Sequence, residues 1–218
     1  MTNISKRSLV IAVDGPAASG KGTLARKLAA HYGLPHLDTG LLYRAVGKKL
    51  LEARQQGSRD SDKLIAIHAA QNLSVTDLAR NDLGTEGVGR AASIISAIPE
   101  VRDALLQYQF DFADQEGGAV LDGRDIGTVI CPDADVKLFI TASAEVRAKR
   151  RYEQQKQTDA SADYQSILTA ILERDERDST RTAAPLTVAE DAVSIDSSDM
   201  SIDAVFAAAI EVVERIPA

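Results

Sequence analysis

The apolar run Leu9–Val13 ends in Asp14-Gly15-Pro16-Ala17-Ala18-Ser19-Gly20-Lys21-Gly22-Thr23, and a helical pattern with Leu24, Leu28 and Tyr32 on one face follows at once. A short buried strand, a glycine-bracketed loop and a helix in that order leave few folds open. Gly15 and Gly20 allow the backbone to curl so that successive N–H groups point inward, and the helix start adds its own orphan donors. Lys21 supplies a point charge at the same place. Residues Gly15 to Thr23 therefore read as a cradle for a polyphosphate, with the competing reading of an ordinary glycine-rich turn.

Gly22 departs from the general form of this loop, which has Ser or Thr directly after the lysine as a magnesium ligand. Thr23 stands one place later. The metal ligand is thus unassigned, with Thr23 a candidate either directly or through water.

Downstream, strand-like runs alternate with helical ones. Leu37 marks a brief extended piece. Asp38 or Thr39 then caps a helix bearing Leu42, Val46 and Leu50 that ends near Gly57. Residues 60–98 carry only weak helical patches and a glycine-spaced stretch from Gly84 to Gly89. Pro99 opens a helix through Val101, Leu105 and Phe112 that finishes at Gly117-Gly118. Ala119–Leu121 and Val136–Ile140 read as buried strands, with Asp122-Gly123-Arg124-Asp125 as the loop after the first. Ser143 caps a polar helix to about Gln157, and another runs from about Ser161 to Asp178. Val193–Ile195 is a last strand, followed by a Ser201-capped helix, Ile202–Ile216. The alternation predicts an α/β fold with a parallel sheet covered on both faces. Ligands in such folds gather beyond the carboxyl ends of the strands, where both Gly15–Thr23 and Asp122–Asp125 fall.

Composition narrows the partners. The net charge of −7 argues against a nucleic-acid or anionic-membrane partner, and aromatics at 4% with no Trp leave no stacking platform for single strands. Any bound anion must be caught by a local cluster of donors. Cys131 is the single cysteine, so no disulfide framework exists within the chain. The apolar run at Leu9 is too short for a secretory signal, and no stretch approaches the roughly 20 apolar residues of a membrane span. A cytoplasmic location is expected. His31, His36 and His68 show no metal-ligand spacing and lie outside the motifs.

Arg147, Arg150 and Arg151 share a helical face by their spacing, as do Arg174, Arg177 and Arg181. From Glu145 to Arg181 there are eight Lys/Arg and eight Asp/Glu, so a solvated face laced with ion pairs is one reading. The other is an arginine-rich lid of about 147–184. There, arginines closing over a transferring phosphoryl group would stabilise its spread charge and keep water away.

Four segments in order, Asp14-Gly15-Pro16, Leu37–Arg44, Asp122–Thr128 and Glu173–Asp178, resemble the bacterial cytidylate kinases of the nucleoside monophosphate kinase group, and the resemblance covers nearly the whole chain. It implies a three-layer P-loop fold with a five-stranded parallel sheet, a single kinase domain over 1–218 and a small acceptor-binding insert at about 60–98. That insert is of the short kind, since Leu73–Val88 shows no strand pattern. It further implies ATP with Mg²⁺ as phosphoryl donor and CMP and dCMP as acceptors; for a lid-closing enzyme of this size a monomer is the default expectation.

By the same resemblance, Thr39 contacts the acceptor's ribose, Arg44 and Arg124 hold its phosphate, and Ser93 and Arg102 read the cytosine edge. Asp125 accepts a hydrogen bond from the exocyclic amine, and Asp178 serves the sugar. Each residue also has a plainer reading. Thr39 could cap its helix, Arg44 and Arg102 could be surface charges, Ser93 a cap-like serine, and Arg124 and Asp125 could pair with neighbours. A carboxylate at Asp125 suits an amine-bearing base and mismatches the carbonyl of uracil. Lys21, Arg124, Arg174 and Arg181 are the expected catalytic charges. The rival readings are an adenylate or shikimate kinase and a nucleotide-binding regulatory module without turnover.

Overall fold

The computed structural model describes residues 8–157 and 159–215. Five strands form one all-parallel sheet: β1 (Leu9–Asp14), β2 (His36–Asp38), β3 (Gly118–Gly123), β4 (Val136–Thr141) and β5 (Val193–Asp196), in the order β2-β3-β1-β4-β5. The connection leaving β3 crosses β1 to reach β4. A crevice therefore opens beyond the carboxyl end of β1, where a ligand site is expected.

Alternation along the strands assigns the two faces. Ile11 and Val13 of β1, with Val120 of β3, join the core beneath α1 (Lys21–Tyr32) and α9 (Ile202–Glu214). Ala12, Leu37 and Leu121 point the other way, toward α6 (Pro99–Ala113) and a π-helical turn at Ile126–Ile130. Each fully buried Ile, Val or Leu here contributes about 1.5–3 kcal/mol of transfer free energy. Both faces being dry explains why these strands read as unbroken apolar runs.

The stretch 60–98 is made of helices joined by turns. It forms α3 (Asp62–Gln71), the single turn α4 (Val75–Leu78) and α5 (Glu86–Ile95), packed on α2 (Thr39–Gln55) around Val46, Ala66, Ala92 and Ile95. No strand forms there. α7 (Ala144–Lys156) and α8 (Tyr164–Thr180) make a hairpin around Ala148, Ile167 and Ile171. α8 begins later than the expected Ser161, because Asp159 holds Ser161 in a turn and Asp163 is the cap, accepting from Ser166 N. β3 runs on through Gly123, so the Asp122 carboxylate belongs to a strand rather than a loop. The expected end of the last helix, Ile216, lies outside the described residues. Among the described residues no helix is long and apolar enough to cross a membrane, and Cys131 is buried and free.

Candidate active site

The loop after β1 has the backbone its glycines predict. Gly15 and Gly20 take φ of 149° and 92°, and a β-carbon at Gly15 would lie 2.0 Å from the Ile140 carbonyl oxygen. Ala18 also has positive φ, 59°, which an L residue holds at some cost. Its side chain packs against the core of the α7–α8 hairpin. No side chain caps the start of α1, which leaves its first N–H groups directed into the loop. Lys21 Nζ donates to the Pro16 carbonyl at 3.3 Å. Burial, then the facing Arg124 guanidinium, pulls the Lys21 ammonium down to about 7.

Two cavities open on this loop. The larger, about 460 Å³, is bounded by Ala17, Gly20 and Thr23 of the loop, by α5, and by Arg150, Arg151, Arg174 and Arg177 of the hairpin. The smaller, about 200 Å³, is lined by Lys21, Thr39, Arg44, Arg102, Arg124, Asp125, Arg174, Asp178 and Arg181, among others. Ala17, Ala18, Arg44 and Arg174 line both. All the residues expected to hold an acceptor except Ser93 thus surround one small space.

Within it the charges are interlocked. Asp178, buried, takes Arg124 Nε at 2.8 Å and lies 3.7 Å from Arg174 Nε. Burial works against its carboxylate, but Arg124 and Arg174 outweigh it and hold its pKa below the usual range. Asp125 is hydrogen-bonded by Arg102 Nη2 and lies 3.6 Å from Arg181 Nη2. Arg174 Nε and Arg181 Nη2 are buried without a hydrogen-bond partner, a costly state for donors that a ligand anion would relieve. Burial, with Arg124 close by, lowers Arg174 to about 10. Arg44, half-buried, donates to the Leu83 carbonyl at 2.9 Å and so is not a solvated surface charge.

Several placements differ from what spacing alone suggests. Asp38, not Thr39, caps α2, accepting from Gly40 N at 2.9 Å. Thr39 Oγ1 donates instead to the Asp122 carbonyl at 2.9 Å. Ser93 Oγ meets Arg177 Nε at 3.3 Å and borders the larger cavity. Ser96, three residues on, receives Arg181 Nη1 on its hydroxyl and Arg102 Nη1 on its carbonyl, and lines the smaller one. Tyr43 stacks on Arg102, with the guanidinium carbon 5.8 Å from the ring centroid. Neither Ser96 nor Tyr43 was a candidate from sequence, although Tyr43 lies inside the Leu37–Arg44 segment.

The basic residues of α7 have separate fates. Arg147 is buried and donates to the Ala17 and Ala142 carbonyls and to Asp175. Arg150 reaches the Ser197 carbonyl and hydroxyl, and Arg151 lies exposed against Gln154 at the rim of the larger cavity.

Gly22 makes room for acid. A β-carbon there would sit 3.5 Å from Asp122 Oδ2. Asp38 and Asp122 are register neighbours on β2 and β3, and both point to the α1 face. Burial and the Asp122 charge raise the Asp38 carboxyl above its ordinary range, a repulsion that a cation between loop and strands would relieve. Hard oxygens in that position suit Mg²⁺, which commonly takes one or two carboxylates and completes its shell with water and phosphate. Among the described residues no group of three or more His, Cys, Asp or Glu is placed to hold a metal ion by itself. Asp14, at the end of β1, accepts the N–H groups of Ile126 and Gly127 at 2.9 and 2.7 Å, tying the loop to the π-helical turn. Burial still pushes its carboxyl up to about 6.

The sequence pattern of the cytidylate kinase family matches residues 11–215. The chain is 54% identical over 206 residues to a cytidylate kinase of Methylocella silvestris, covering 94% of each. It is 55% identical over 207 residues to one of Azorhizobium caulinodans, covering 95% of this chain and 98% of the relative. A cytidylate kinase of Xanthobacter autotrophicus shares 56% over 206 residues, 94% of this chain and 97% of its own. Among solved structures, an uncharacterised protein from Eubacterium ventriosum matches with a TM-score of 0.55 over 95% of this chain and 99% of its own; at 16% identity it speaks to the fold alone. With a pattern match along almost its full length and relatives above half identity, the chain belongs to the cytidylate kinase family.

Proposed function

We propose that this chain is a cytoplasmic enzyme that transfers the γ-phosphoryl group of ATP to CMP and dCMP, yielding ADP and CDP or dCDP. The observation that carries the reading is the junction of the two cavities at Ala17, Ala18, Arg44 and Arg174. A donor triphosphate on the loop and an acceptor monophosphate in the smaller space would meet there, with Lys21, Arg124 and Arg174 converging on the charge. In this reading α3–α5 form the acceptor insert and α7–α8 the lid.

The acceptor phosphate needs no general base, because its second pKa is about 6 and its oxygen is already anionic at neutral pH. What the protein supplies is position and countercharge. Arg44 and Arg124 offer planar donor forks to the acceptor phosphate. The unpartnered donors of Arg174 and Arg181 await oxygens. Asp125, an acceptor only, favours the cytosine amine, and Thr39 and Asp178 serve the sugar. Asp122 and Asp38, with Thr23 from the loop, are the residues that would hold magnesium. When bound, the ion neutralises charge on the phosphate oxygens.

An ADP-release assay with CMP, dCMP, UMP, AMP and shikimate tests this. CMP and dCMP should turn over fastest. Release no greater than the acceptor-free control would overturn the kinase reading, and preference for AMP would overturn the acceptor.

A further inference from the structure

His36 has no part in the account so far, yet it sits beside the acidic pair. Its Nε2 lies 2.7 Å from Asp122 Oδ1, with the two side chains 16% and 4% exposed. Strand geometry explains the meeting. His36 and Asp38 are two apart on β2 and so share a face, while β2 pairs His36 with Val120 and Asp38 with Asp122. His36 is thus the diagonal neighbour of Asp122 on the α1 side of the sheet, where the phosphate loop begins its helix.

The hydrogen bond has a directional consequence. At the separation seen, a carboxylate can only accept, so Nε2 carries the proton and donates it. With Oδ1 so engaged, Oδ2 is the oxygen nearer the loop, 3.5 Å from where a Gly22 β-carbon would be against 3.9 Å for Oδ1. Gly22 occupies the place where the general loop carries its metal-binding hydroxyl. Asp122 is also fixed from its backbone side, since its carbonyl accepts from Thr39 Oγ1. The bond from His36 is what restrains the side-chain torsions of the carboxylate.

We propose that His36 is a positioning residue for phosphoryl transfer: its Nε2–H locks Asp122 with Oδ2 facing Gly22 and the phosphate loop, fixing the oxygen that meets a divalent cation. The inference rests on the assignment of Asp122 to the metal made above. Outer partners of this kind typically change metal affinity by about 10–100-fold when removed. A ring held on a short strand also orients the carboxylate without the entropy cost a long lysine would carry.

The test compares His36→Leu, His36→Gln and Asp122→Asn with the unaltered protein. ADP binding is measured by calorimetry with magnesium present and with the ion chelated. The unaltered chain should bind ADP more tightly with magnesium. In His36→Leu that gain should shrink by about tenfold, while metal-free ADP affinity and CMP affinity stay put. His36→Gln, whose amide can still donate, should recover most of the gain. In turnover, kcat at fixed magnesium should fall in His36→Leu with KM for CMP unchanged.

A full magnesium gain in His36→Leu together with its loss in Asp122→Asn overturns the role of His36 and leaves Asp122 standing. A full gain in both overturns the metal assignment of Asp122 and this proposal with it. Should His36→Leu fail to fold, long-range ¹H–¹⁵N spectra of the unaltered protein still decide. A ring that carries a proton on Nε2 supports the proposal, and one protonated on Nδ1 alone overturns it.

Discussion

Arg147 of α7 and Asp175 of α8 are joined by a two-pronged ion pair, Nη1 to Oδ1 at 3.0 Å and Nη2 to Oδ2 at 2.5 Å. The same guanidinium donates to the Ala142 carbonyl at 2.9 Å and to the Ala17 carbonyl of the phosphate loop at 3.2 Å. One buried side chain therefore ties the sheet, the loop and the arginine-bearing helix α8 together. Movement of α8 and the shape of the loop are mechanically linked through it.

Removing that link should cost both stability and donor binding. Arg147→Ala is expected to lose about 3 kcal/mol in urea unfolding, the low end for a broken buried pair, because Asp175 is partly solvated. Arg147→Lys keeps the charge without the fork and should fall between. In steady-state kinetics KM for ATP should rise several-fold in both variants, with KM for CMP moving less. An ATP KM that does not change would confine Arg147 to stability.

Lys21 carries a pH signature. Its ammonium, pushed down to about 7 by burial and by Arg124, is mostly neutral at pH 8 in the free protein. A polyphosphate against it favours the charged form, so nucleotide binding above pH 7 should take up a proton and weaken as pH rises. Well below pH 7 the group is already charged and contributes no uptake. The same lowered pKa means the unfolded chain binds the extra proton, so this group makes the free protein more stable as pH climbs from about 7 toward 10. ADP calorimetry at pH 8 in buffers of different ionisation enthalpy should show about half a proton or more taken up. Lys21→Met should abolish that uptake and lower kcat by about 10²–10³, the usual loss for one transition-state donor.

How far the sequence could carry this depended on whether the signal was local. The loop at Gly15–Thr23 was legible because its glycines, lysine and flanking strand are contiguous, and β1, β3 and β4 because each is an apolar run buried on both faces. Asp122 and His36 were not, since what joins them is the register of β2 on β3, a relation between positions 86 residues apart. Ser96 was not legible beside Ser93 because both lie near the end of α5, and nothing in their spacing shows which hydroxyl turns to Arg181. Arg147 looked like Arg150 and Arg151 by charge, but only Arg147 of the three is buried. Helical spacing reports which residues share a face, not how deep that face lies.

Gly47 offers a test of how α2 and α5 set the acceptor space. A β-carbon there would lie 2.9 Å from the backbone nitrogen of Ala92 and 3.2 Å from the Ala91 β-carbon, so Gly47→Ala must push the helices apart. Overpacking should cost about 1–3 kcal/mol, partly offset by about 1 kcal/mol of helix propensity. Because α2 carries Thr39 and Arg44 and α5 leads to Ser96, KM for CMP should rise more than KM for ATP. Gly87→Ala in α5, with nothing within 4 Å, serves as the control and should show only a helix-propensity gain of up to about 1 kcal/mol.

Asp125 sets the last expectation, because it answers to two demands. It is the buried counter-charge of Arg102 and Arg181, and in the proposed reading it is the acceptor that selects cytosine. Asp125→Asn separates them. The amide keeps an acceptor for Arg102 but loses the negative charge, so stability should drop by about 2 kcal/mol or more in urea. It also gains an N–H that can face the uracil carbonyl. KM for CMP should therefore rise, and the ratio of kcat/KM for CMP over UMP should fall by about tenfold or more, since an unpaired polar group no longer rejects the wrong base. Initial rates with both acceptors read this directly. A loss of stability with the CMP/UMP ratio unchanged would leave Asp125 as a partner for arginines and move base selection elsewhere, with Ser96, already bonded to Arg102 and Arg181, the next residue to replace.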